Sequence, residues 1–300
     1  MYKKIVIVLL SVLVLTLFFR TGFLQNKYVD SRDINYWEYE NGIIKNSGGF
    51  EFSGNKDICW LLIHGYSSTP FEMKEIAKRV NSEFEDYMEV IRLRGHGEVP
   101  SKLYGLSLDV WYSEVSQKFE EMEKDCGKIN IIGSSYGGTL ALKLSNEEDF
   151  NNLYIVNGYV KPSYRFYHLL DLNTQIYLFS NSLGYLKKNK IAEINDPRGR
   201  ENHIAYWNFV LEPVKDSQGF IENISCKDVD ENLLIQHSRN DKVSNPKDIQ
   251  MFYECSSSFI KEIKWFIMSN HILLMDYDKQ DVIQNIIDFE KKNRNLSSNG

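Results

Sequence analysis

The chain has 300 residues, of which 43% are hydrophobic and 25% are charged, and its formal net charge at pH 7 is −6. These values are typical of a folded globular protein with one large or two modest domains. The negative charge argues against a nucleic-acid partner, because phosphate binding needs a basic patch. Nothing in the composition indicates an oligomeric state.

The N-terminal segment differs in composition from the rest. Residues 5–19 read IVIVLLSVLVLTLFF, without a charge, and basic residues flank them on both sides. A membrane-spanning helix needs about 20 residues, and snorkelling basic side chains extend a shorter run. A secretory signal peptide has the same order of basic and apolar regions, so secretion after cleavage is the alternative. We predict that residues 1–24 are a membrane anchor or signal segment at the cell membrane, which places residues 25–300 outside the cytoplasm.

Short apolar runs alternate with amphipathic segments from residue 50 onwards. Continuous apolar runs are typical of strands that are buried on both faces of a parallel sheet. The predicted strands are 50–53, 58–63, 88–93, 129–132, 153–156, 233–236 and 260–266. The predicted helices are 70–84, 107–124, 136–144, 246–252 and 278–291. This alternation predicts an α/β fold with a mostly parallel central sheet and helices on both faces.

Residues 159–226 interrupt this alternation, and they are too many for a plain crossover between two strands. They are rich in tyrosine and phenylalanine, with helical pieces and no clear strand pattern. We predict a helical cap inserted over the carboxyl edge of the sheet, where open α/β sheets bind ligands. The alternative is a helical excursion that packs on a face of the sheet.

The four cysteines are Cys59, Cys126, Cys226 and Cys255. They are widely spaced without a CxxC pair, which argues against a zinc or redox motif. A disulfide between Cys59 and Cys126 is the alternative to the expectation that the cysteines are free thiols that pack as small hydrophobes. No cofactor or metal ion is predicted.

The sequence Gly133-Ser134-Ser135-Tyr136-Gly137 matches the pattern G-x-S-x-G only with Ser135 at its centre. An apolar strand precedes the match and a helix follows it, which is the strand–turn–helix context of a nucleophilic serine. The flanking glycines are needed because the turn is tight. We therefore predict Ser135, and not Ser134, as the nucleophile.

A serine hydroxyl needs a base, and this context predicts the chain order serine, acid, histidine. His271 follows the last predicted strand after a short loop, so it can reach back over the sheet edge to the serine. Asp241 follows the penultimate strand and is the predicted acid, with Asp248 as the alternative inside a predicted helix. The other histidines lie elsewhere. His64 and His96 precede the serine and adjoin glycines, His168 and His203 lie in the predicted cap, and His237 precedes the acid.

Acyl transfer also needs donors for the oxyanion. The backbone N–H of Tyr136, directly after the nucleophile, is one predicted donor. The backbone N–H of Tyr66, in the loop after the strand 58–63, is the other.

Six blocks of sequence over about residues 57–292 resemble bacterial carboxylesterases in the monoacylglycerol-lipase-like branch of the α/β-hydrolase superfamily. They read LLIHGYSSTP, RLRGHGEVP, LDVWYSEV, IIGSSYGGTLALKL, QHSRNDKVSNP and EIKWFIMSNHILLMDYDKQDV. The resemblance implies the α/β-hydrolase fold, with a cap inserted after strand six. It also implies a triad of Ser135, Asp241 and His271, with Tyr66 and Tyr136 as oxyanion donors.

The activity implied by this resemblance is hydrolysis of short- to medium-chain carboxylic esters or monoacylglycerols through an acyl-enzyme. A thioesterase, an acyltransferase or a peptidase on the same triad is the alternative, and a catalytically silent binding protein is a further one. Ser134 stands where relatives often carry leucine, and Asn270 where many carry glycine. The cap shows no recognisable match.

Overall fold

The computed structural model describes residues 10–12, 28–161, 184–188, 193–215 and 217–298. Within these ranges the strands are β1 Tyr39–Glu40, β2 Ile43–Ile44, β3 Phe50–Phe52, β4 Asn55–Ile63, β5 Asp86–Ile91, β6 Lys128–Ser134, β7 Asn152–Val156, β8 Tyr185–Lys187, β9 Asn208–Val210, β10 Asn232–Ser238 and β11 Lys261–Phe266. The α-helices named here are α1 Ser31–Tyr36, α2 Lys74–Phe84, α3 Leu108–Glu123, α4 Tyr136–Leu144, α5 Pro197–Asn202, α6 Ser217–Glu222, α7 Pro246–Cys255 and α8 Lys279–Ser298.

A seven-stranded sheet in the order β11-β10-β7-β6-β4-β5-β3 forms the centre of the described chain. Every neighbouring pair is parallel except β3 with β5, which is antiparallel. The prediction of a mostly parallel sheet is therefore confirmed. The carboxyl ends of β4, β6 and β10 lie at one edge of this sheet, which brings the loops that follow them together.

Side chains of the central strands point alternately to two helical layers. In β4, Leu61 packs with α3 and α4 on one face, while Trp60 and Leu62 pack with α2 and α8 on the other. All three side chains are completely buried. Each stabilises the fold by about 1.5–3 kcal/mol relative to an exposed position. Burial on both faces explains why these strands show continuous apolar runs.

The predicted helices are confirmed, and the largest differences lie at their ends. A 3-10 turn over Pro70–Met73 precedes α2, which ends where Glu85 takes a left-handed backbone conformation with φ of 58°. Ser107 caps α3, because its side chain accepts a hydrogen bond from the backbone of Val110. The last helix, α8, continues to Ser298, well beyond the predicted end at residue 291.

The described part of the predicted cap, a segment between β7 and β10 that we call the cap, is not only helical. Besides α5 and α6 it contains β8 and β9, which form a two-stranded antiparallel sheet. The prediction that this segment lacks strands is wrong here, because strands of three residues are too short to show alternation. The remaining predicted cap residues, 162–183, 189–192 and 216, lie outside the described residues.

The predicted N-terminal anchor falls almost entirely outside the described residues. Only residues 10–12 of it are described, and they are helical. Among the described ranges, no helix combines the length and the apolar character that crossing a membrane requires. The anchor therefore stays a prediction, and the structure gives it no support.

All four cysteines form disulfides, which corrects the expectation of free thiols. Cys59 bonds Cys126 with a Cα–Cα distance of 5.9 Å, and Cys226 bonds Cys255 with a distance of 5.6 Å. The first pair arises because β4 and β6 are neighbours, so that Cys126, two residues before β6, lies beside β4. The second pair joins the end of the cap segment to the end of α7. Sequence spacing shows neither the strand order nor this packing.

Candidate active site

Ser135 occupies a sharp turn between β6 and α4. Its backbone has φ of 52° and ψ of −121°, a conformation that costs energy for any residue other than glycine. The flanking glycines are required by space: a Cβ on Gly137 would lie 2.2 Å from the carbonyl oxygen of Ile63, and one on Gly133 would lie 2.5 Å from that of Gly137. The turn therefore presents the serine at the carboxyl edge of the sheet.

The structure brings Ser135, His271 and Asp241 together in one hydrogen-bonded series. Ser135 Oγ lies 2.8 Å from His271 Nε2, and His271 Nδ1 lies 2.8 Å from Asp241 Oδ2. All three side chains are buried. Because a carboxylate only accepts hydrogen bonds, Nδ1 carries the proton and Nε2 is left to accept the serine hydrogen. This tautomer is the one that a general base requires.

Electrostatics favour the charged forms of the histidine and the aspartate. Burial lowers the pKa of His271, but the charge and hydrogen bond of Asp241, together with the charges of Glu193 and Glu72, outweigh it, so that this pKa lies above its usual value. Burial raises the pKa of Asp241, but the charge and hydrogen bond of His271 outweigh it, and this pKa lies below its usual value. Asp241 Oδ1 also accepts hydrogen bonds from the backbone of Val243 and Ser244, at 2.7 and 2.9 Å.

The two predicted oxyanion donors flank the serine. Tyr136 is the first residue of α4, so its N–H has no acceptor inside the helix. The loop of residues 64–69, which we call the oxyanion loop, lies directly against the nucleophile: a Cβ on Gly65 would be 3.0 Å from Ser135 Cβ. The rings of Tyr66 and Tyr136 meet edge to face at 6.1 Å. Their role as donors stays a prediction.

No family model matches the chain. It is 22% identical to a carboxylesterase of Bacillus subtilis over 251 residues, 81% of this chain and 96% of the relative. It is 23% identical to a thermostable monoacylglycerol lipase of Bacillus sp. strain H-257 over 244 residues, 80% of this chain and 93% of the relative. The predicted resemblance to carboxylesterases and monoacylglycerol lipases is thereby confirmed.

Solved structures resemble the chain over most of its length. One, of a metagenome-derived lipolytic enzyme, has a TM-score of 0.71 at 20% identity and covers 83% of this chain and 99% of its own. Another, a soluble variant of monoglyceride lipase from Saccharomyces cerevisiae, has a TM-score of 0.68 at 15% identity and covers 86% and 95%. The chain has the α/β-hydrolase fold.

The remaining histidines of the described residues take other places in this α/β-hydrolase fold. His64 Nε2 accepts a hydrogen bond from the backbone of Leu93, and His96 Nε2 accepts one from the backbone of Ser67. Both rings are buried and hold loops at the sheet edge. His203 lies in the cap, 2.9 Å from Ser68 Oγ. His168 lies outside the described residues.

His237 lies behind the acid, with Nε2 at 3.4 Å from Asp241 Oδ2. Burial lowers the pKa of His237 to about 4, so it is neutral near pH 7. The alternative acid, Asp248, is not brought to the site. It lies in α7 and pairs with Lys161 at 3.3 Å.

Two residues that support the candidate site were not predicted. Asn157, just after β7, donates hydrogen bonds to the backbone carbonyls of Asn270 and His271. Asp276 accepts a hydrogen bond from the backbone of Asn270 at 2.8 Å. Together they fix the loop that carries the histidine. The only sequence signal for Asn157 is that asparagine tolerates the left-handed backbone, which it adopts here with φ of 44°.

Aromatic side chains near the serine pack against one another. The rings of Tyr136 and Tyr159 lie 4.5 Å apart, and Phe209 of β9 meets Tyr66 at 4.9 Å. The Tyr66 hydroxyl donates a hydrogen bond to the carbonyl oxygen of Val210. Across the described parts of the chain, no cluster of three or more His, Cys, Asp or Glu side chains could hold a metal ion.

Proposed function

We propose that the chain is a serine carboxylesterase that hydrolyses carboxylic esters through an acyl-enzyme. The observation that carries this proposal is the series from Ser135 through His271 to Asp241, with 2.8 Å at each step. The two curated relatives support it, because one is named a carboxylesterase and the other a monoacylglycerol lipase. Both names describe ester hydrolysis.

In the first half of the reaction, Ser135 Oγ attacks the ester carbonyl while His271 Nε2 takes the hydroxyl proton. The backbone N–H groups of Tyr66 and Tyr136 stabilise the oxyanion of the tetrahedral intermediate. Asp241 stabilises the imidazolium that forms. The intermediate then collapses as His271 gives its proton to the departing alcohol.

In the second half, water attacks the acyl-enzyme and His271 takes its proton. A second tetrahedral intermediate forms on the same two N–H groups. Its collapse releases the carboxylic acid, and the proton on His271 returns to Ser135 Oγ. Every proton in this cycle passes through His271, from Ser135 to the departing alcohol and then from water back to Ser135, so the cycle requires neither a metal ion nor a cofactor.

We propose short- to medium-chain esters or monoacylglycerols as the substrate class. Tyr136, Tyr159 and Phe209 support an apolar acyl or alcohol group, because aromatic side chains supply apolar surface beside the serine. The name of the monoacylglycerol lipase relative supports the same class. Chain-length preference is measured with a series of p-nitrophenyl esters on the full chain.

The proposal is tested by comparing the two adjacent serines. Ser135→Ala should lower ester hydrolysis by about 10⁴-fold or more, because the nucleophile is lost. Ser134→Ala is the matched control and should retain most activity, because Ser134 ends β6 and takes no part in the series. Comparable losses from both substitutions would contradict the assignment of Ser135.

Two further measurements separate the alternatives. A fluorophosphonate probe should label the folded wild-type chain and leave Ser135→Ala unlabelled. A folded wild-type chain that the probe does not label would indicate a catalytically silent binding protein. Matched esters, thioesters and amides then define the reaction: faster turnover of the thioester or the amide would replace the carboxylesterase proposal.

We also propose that the domain lies outside the cytoplasm. The two disulfides support this, because disulfides form and persist in oxidising compartments and are rare in the cytosol. Fractionation of the producing cell tests it: the folded chain should appear in an extracytoplasmic fraction with its cysteines paired. Recovery from the cytosol with free thiols would contradict it.

A further inference from the structure

A buried carboxylate accepts hydrogen bonds from two residues of the oxyanion loop. Glu72 follows the loop in the chain, and its side chain is almost completely buried. Its Oε1 accepts a hydrogen bond from the backbone N–H of Gly65 at 2.7 Å, and its Oε2 accepts one from Ser68 Oγ at 2.7 Å. The Glu72 carboxylate thus holds Gly65 and Ser68, which lie on either side of Tyr66 in the loop.

The cap reaches the same carboxylate through Ser68. His203 Nε2 lies 2.9 Å from Ser68 Oγ. Because the single hydroxyl hydrogen of Ser68 points to Glu72, the serine can only accept from His203, and Nε2 is the donor. The hydrogen bonds therefore run in one direction, from His203 through Ser68 to Glu72.

Other cap residues hold the neighbouring positions of the oxyanion loop. The backbone N–H of Tyr206 donates to the carbonyl oxygen of Ser67 at 3.0 Å, and Lys188 Nζ donates to Ser67 Oγ at 2.7 Å. Thr69 Oγ1 donates to the carbonyl oxygen of Ile204 at 2.9 Å. Every residue from 66 to 69 is thus hydrogen-bonded to the cap, and the loop lies between the cap and Glu72.

The surroundings of Glu72 keep its buried carboxylate ionised. Burying a charge is unfavourable unless hydrogen bonds and a partner compensate it. Burial raises the pKa of Glu72, but the approach and charge of His203, whose Nε2 lies 3.8 Å from Glu72 Oε2, with His64 and the Gly65 N–H, outweigh burial and keep this pKa below its usual value. Glu72 is therefore ionised near pH 7, as an acceptor of several hydrogen bonds.

We propose that Glu72 is a positioning residue that fixes the Tyr66 N–H relative to Ser135, and that His203 of the cap acts on it through Ser68. The proposal rests on the proposed function, in which Tyr66 is an oxyanion donor. The close approach of Gly65 to Ser135 supplies the sensitivity, because a Cβ at Gly65 would already stand 3.0 Å from Ser135 Cβ. A small movement of the loop therefore changes the distance from the donor to the reacting oxygen.

The test compares Glu72→Ala and Glu72→Gln in the full chain. Removing a side chain that positions one oxyanion donor should lower kcat by about 10–100-fold, somewhat less than loss of the donor itself. KM should change by less than about threefold, because the oxyanion forms only in the transition state. Glu72→Gln should recover part of the loss, since its amide oxygen can still accept from the Gly65 N–H. Active sites are counted by fluorophosphonate labelling, so kcat refers to folded enzyme.

Glu290 offers a matched control. It is another buried glutamate, and it accepts hydrogen bonds from Asn152 and Tyr154. It belongs to α8, which packs on the face of the sheet opposite the one that carries α3, α4 and the buried cap residues Tyr206 and Val210. Glu290→Ala and Glu290→Gln should lower the melting temperature and leave kcat per labelled site unchanged. A wild-type kcat per labelled site in both Glu72 variants would overturn the proposal, and so would an equal loss of kcat in the Glu290 variants.

A double-mutant comparison tests the link to the cap. His203→Ala alone should lower kcat by about 3–10-fold. Ser68→Ala should lower kcat by the same factor, because it interrupts the hydrogen bonds from His203 to Glu72. It is the smaller substitution and carries the smaller risk of misfolding. In combination with Glu72→Ala, neither should lower kcat further. Full additivity would overturn the role of His203. Failure of the proposed function is seen separately, as a wild-type chain without labelling or ester turnover.

Discussion

Asn157 donates a hydrogen bond from its side-chain amide to the backbone carbonyl of His271, a residue 114 positions later in the chain. The same amide reaches the carbonyl of Asn270 at 2.9 Å, and Asn157 Oδ1 accepts from the backbone N–H of Ser238 at 2.8 Å. One side chain therefore joins the loop of the proposed base to the end of β10, which leads to the proposed acid. The separation of the two groups depends on this contact.

We expect Asn157→Ala to lower kcat by about tenfold, which corresponds to the loss of about one net hydrogen bond. Asn157→Asp should be worse, because a carboxylate cannot donate to the two carbonyl oxygens and repels them. The measurement is kcat per fluorophosphonate-labelled site. Asn146→Ala is the matched control, since Asn146 also holds a backbone segment, donating to and accepting from Ser225. Equal kcat losses in the two alanine variants would argue against a specific role for Asn157.

The pH dependence of hydrolysis follows from the raised pKa of His271. The base works only when neutral, so kcat/KM should rise with pH through a midpoint above the ordinary histidine value of 6.5. Asp241→Asn removes the largest of the charges that raise this pKa, while those of Glu193 and Glu72 remain. The midpoint should therefore move to lower pH, while the plateau falls by about 10⁴-fold. Asp248→Asn is the control and should leave the midpoint in place. A midpoint that does not move in Asp241→Asn would contradict the electrostatic argument.

Local patterns carry much of what the sequence predicts. The glycines around Ser135 and the apolar run before it identify a turn, because the steric limits there involve neighbouring residues. Asp241 and His271 follow from chain order alone, and the structure brings them together with Ser135. Their catalytic roles remain predictions.

Contacts between distant residues are what the sequence does not show. In the sequence, Glu72 is an ordinary residue of an amphipathic segment, and nothing local indicates its contacts with the oxyanion loop. Its partner His203 lies 131 positions later in the chain. Cys59 and Cys126 pair because β4 and β6 are neighbours, and an apolar run does not reveal strand order. Such features depend on the assembled sheet and cap, not on local propensity.

The two disulfides predict a specific redox behaviour. Without a reductant, the denatured chain should take up no thiol-alkylating reagent, and after reduction it should take up four equivalents. The bonds close loops with sequence separations of 67 and 29, for which the chain-entropy model gives about 4 kcal/mol each. Cys59→Ala with Cys126→Ala should therefore lower the melting temperature, and the Cys226 and Cys255 pair provides the parallel comparison. Alkylation before reduction would contradict the pairing.

Asp33 predicts a pH-dependent stability that is separate from catalysis. Its Oδ1 accepts a hydrogen bond from the backbone N–H of Trp207 at 2.9 Å, so α1 holds β9 and the cap. The side chain is completely buried, and among the described residues its Oδ2 has no hydrogen-bond partner. Burial raises the pKa of Asp33 from 3.8 to about 6.

A carboxyl whose folded pKa is raised stabilises the fold below the unfolded pKa, and this contribution is lost as pH rises through the folded pKa. For Asp33 the window runs from about pH 4 to pH 7, and a shift of about two units corresponds to at most about 3 kcal/mol. Asp33→Asn cannot ionise, and its amide oxygen can still accept from Trp207. The free energy of unfolding of the variant, relative to wild type, should therefore increase across this window in urea titrations. Asp281→Asn, at an exposed position in α8, controls for the change in net charge. Parallel pH profiles for wild type and Asp33→Asn would show that this carboxyl does not set the pH dependence, since only the wild type has a proton to lose there.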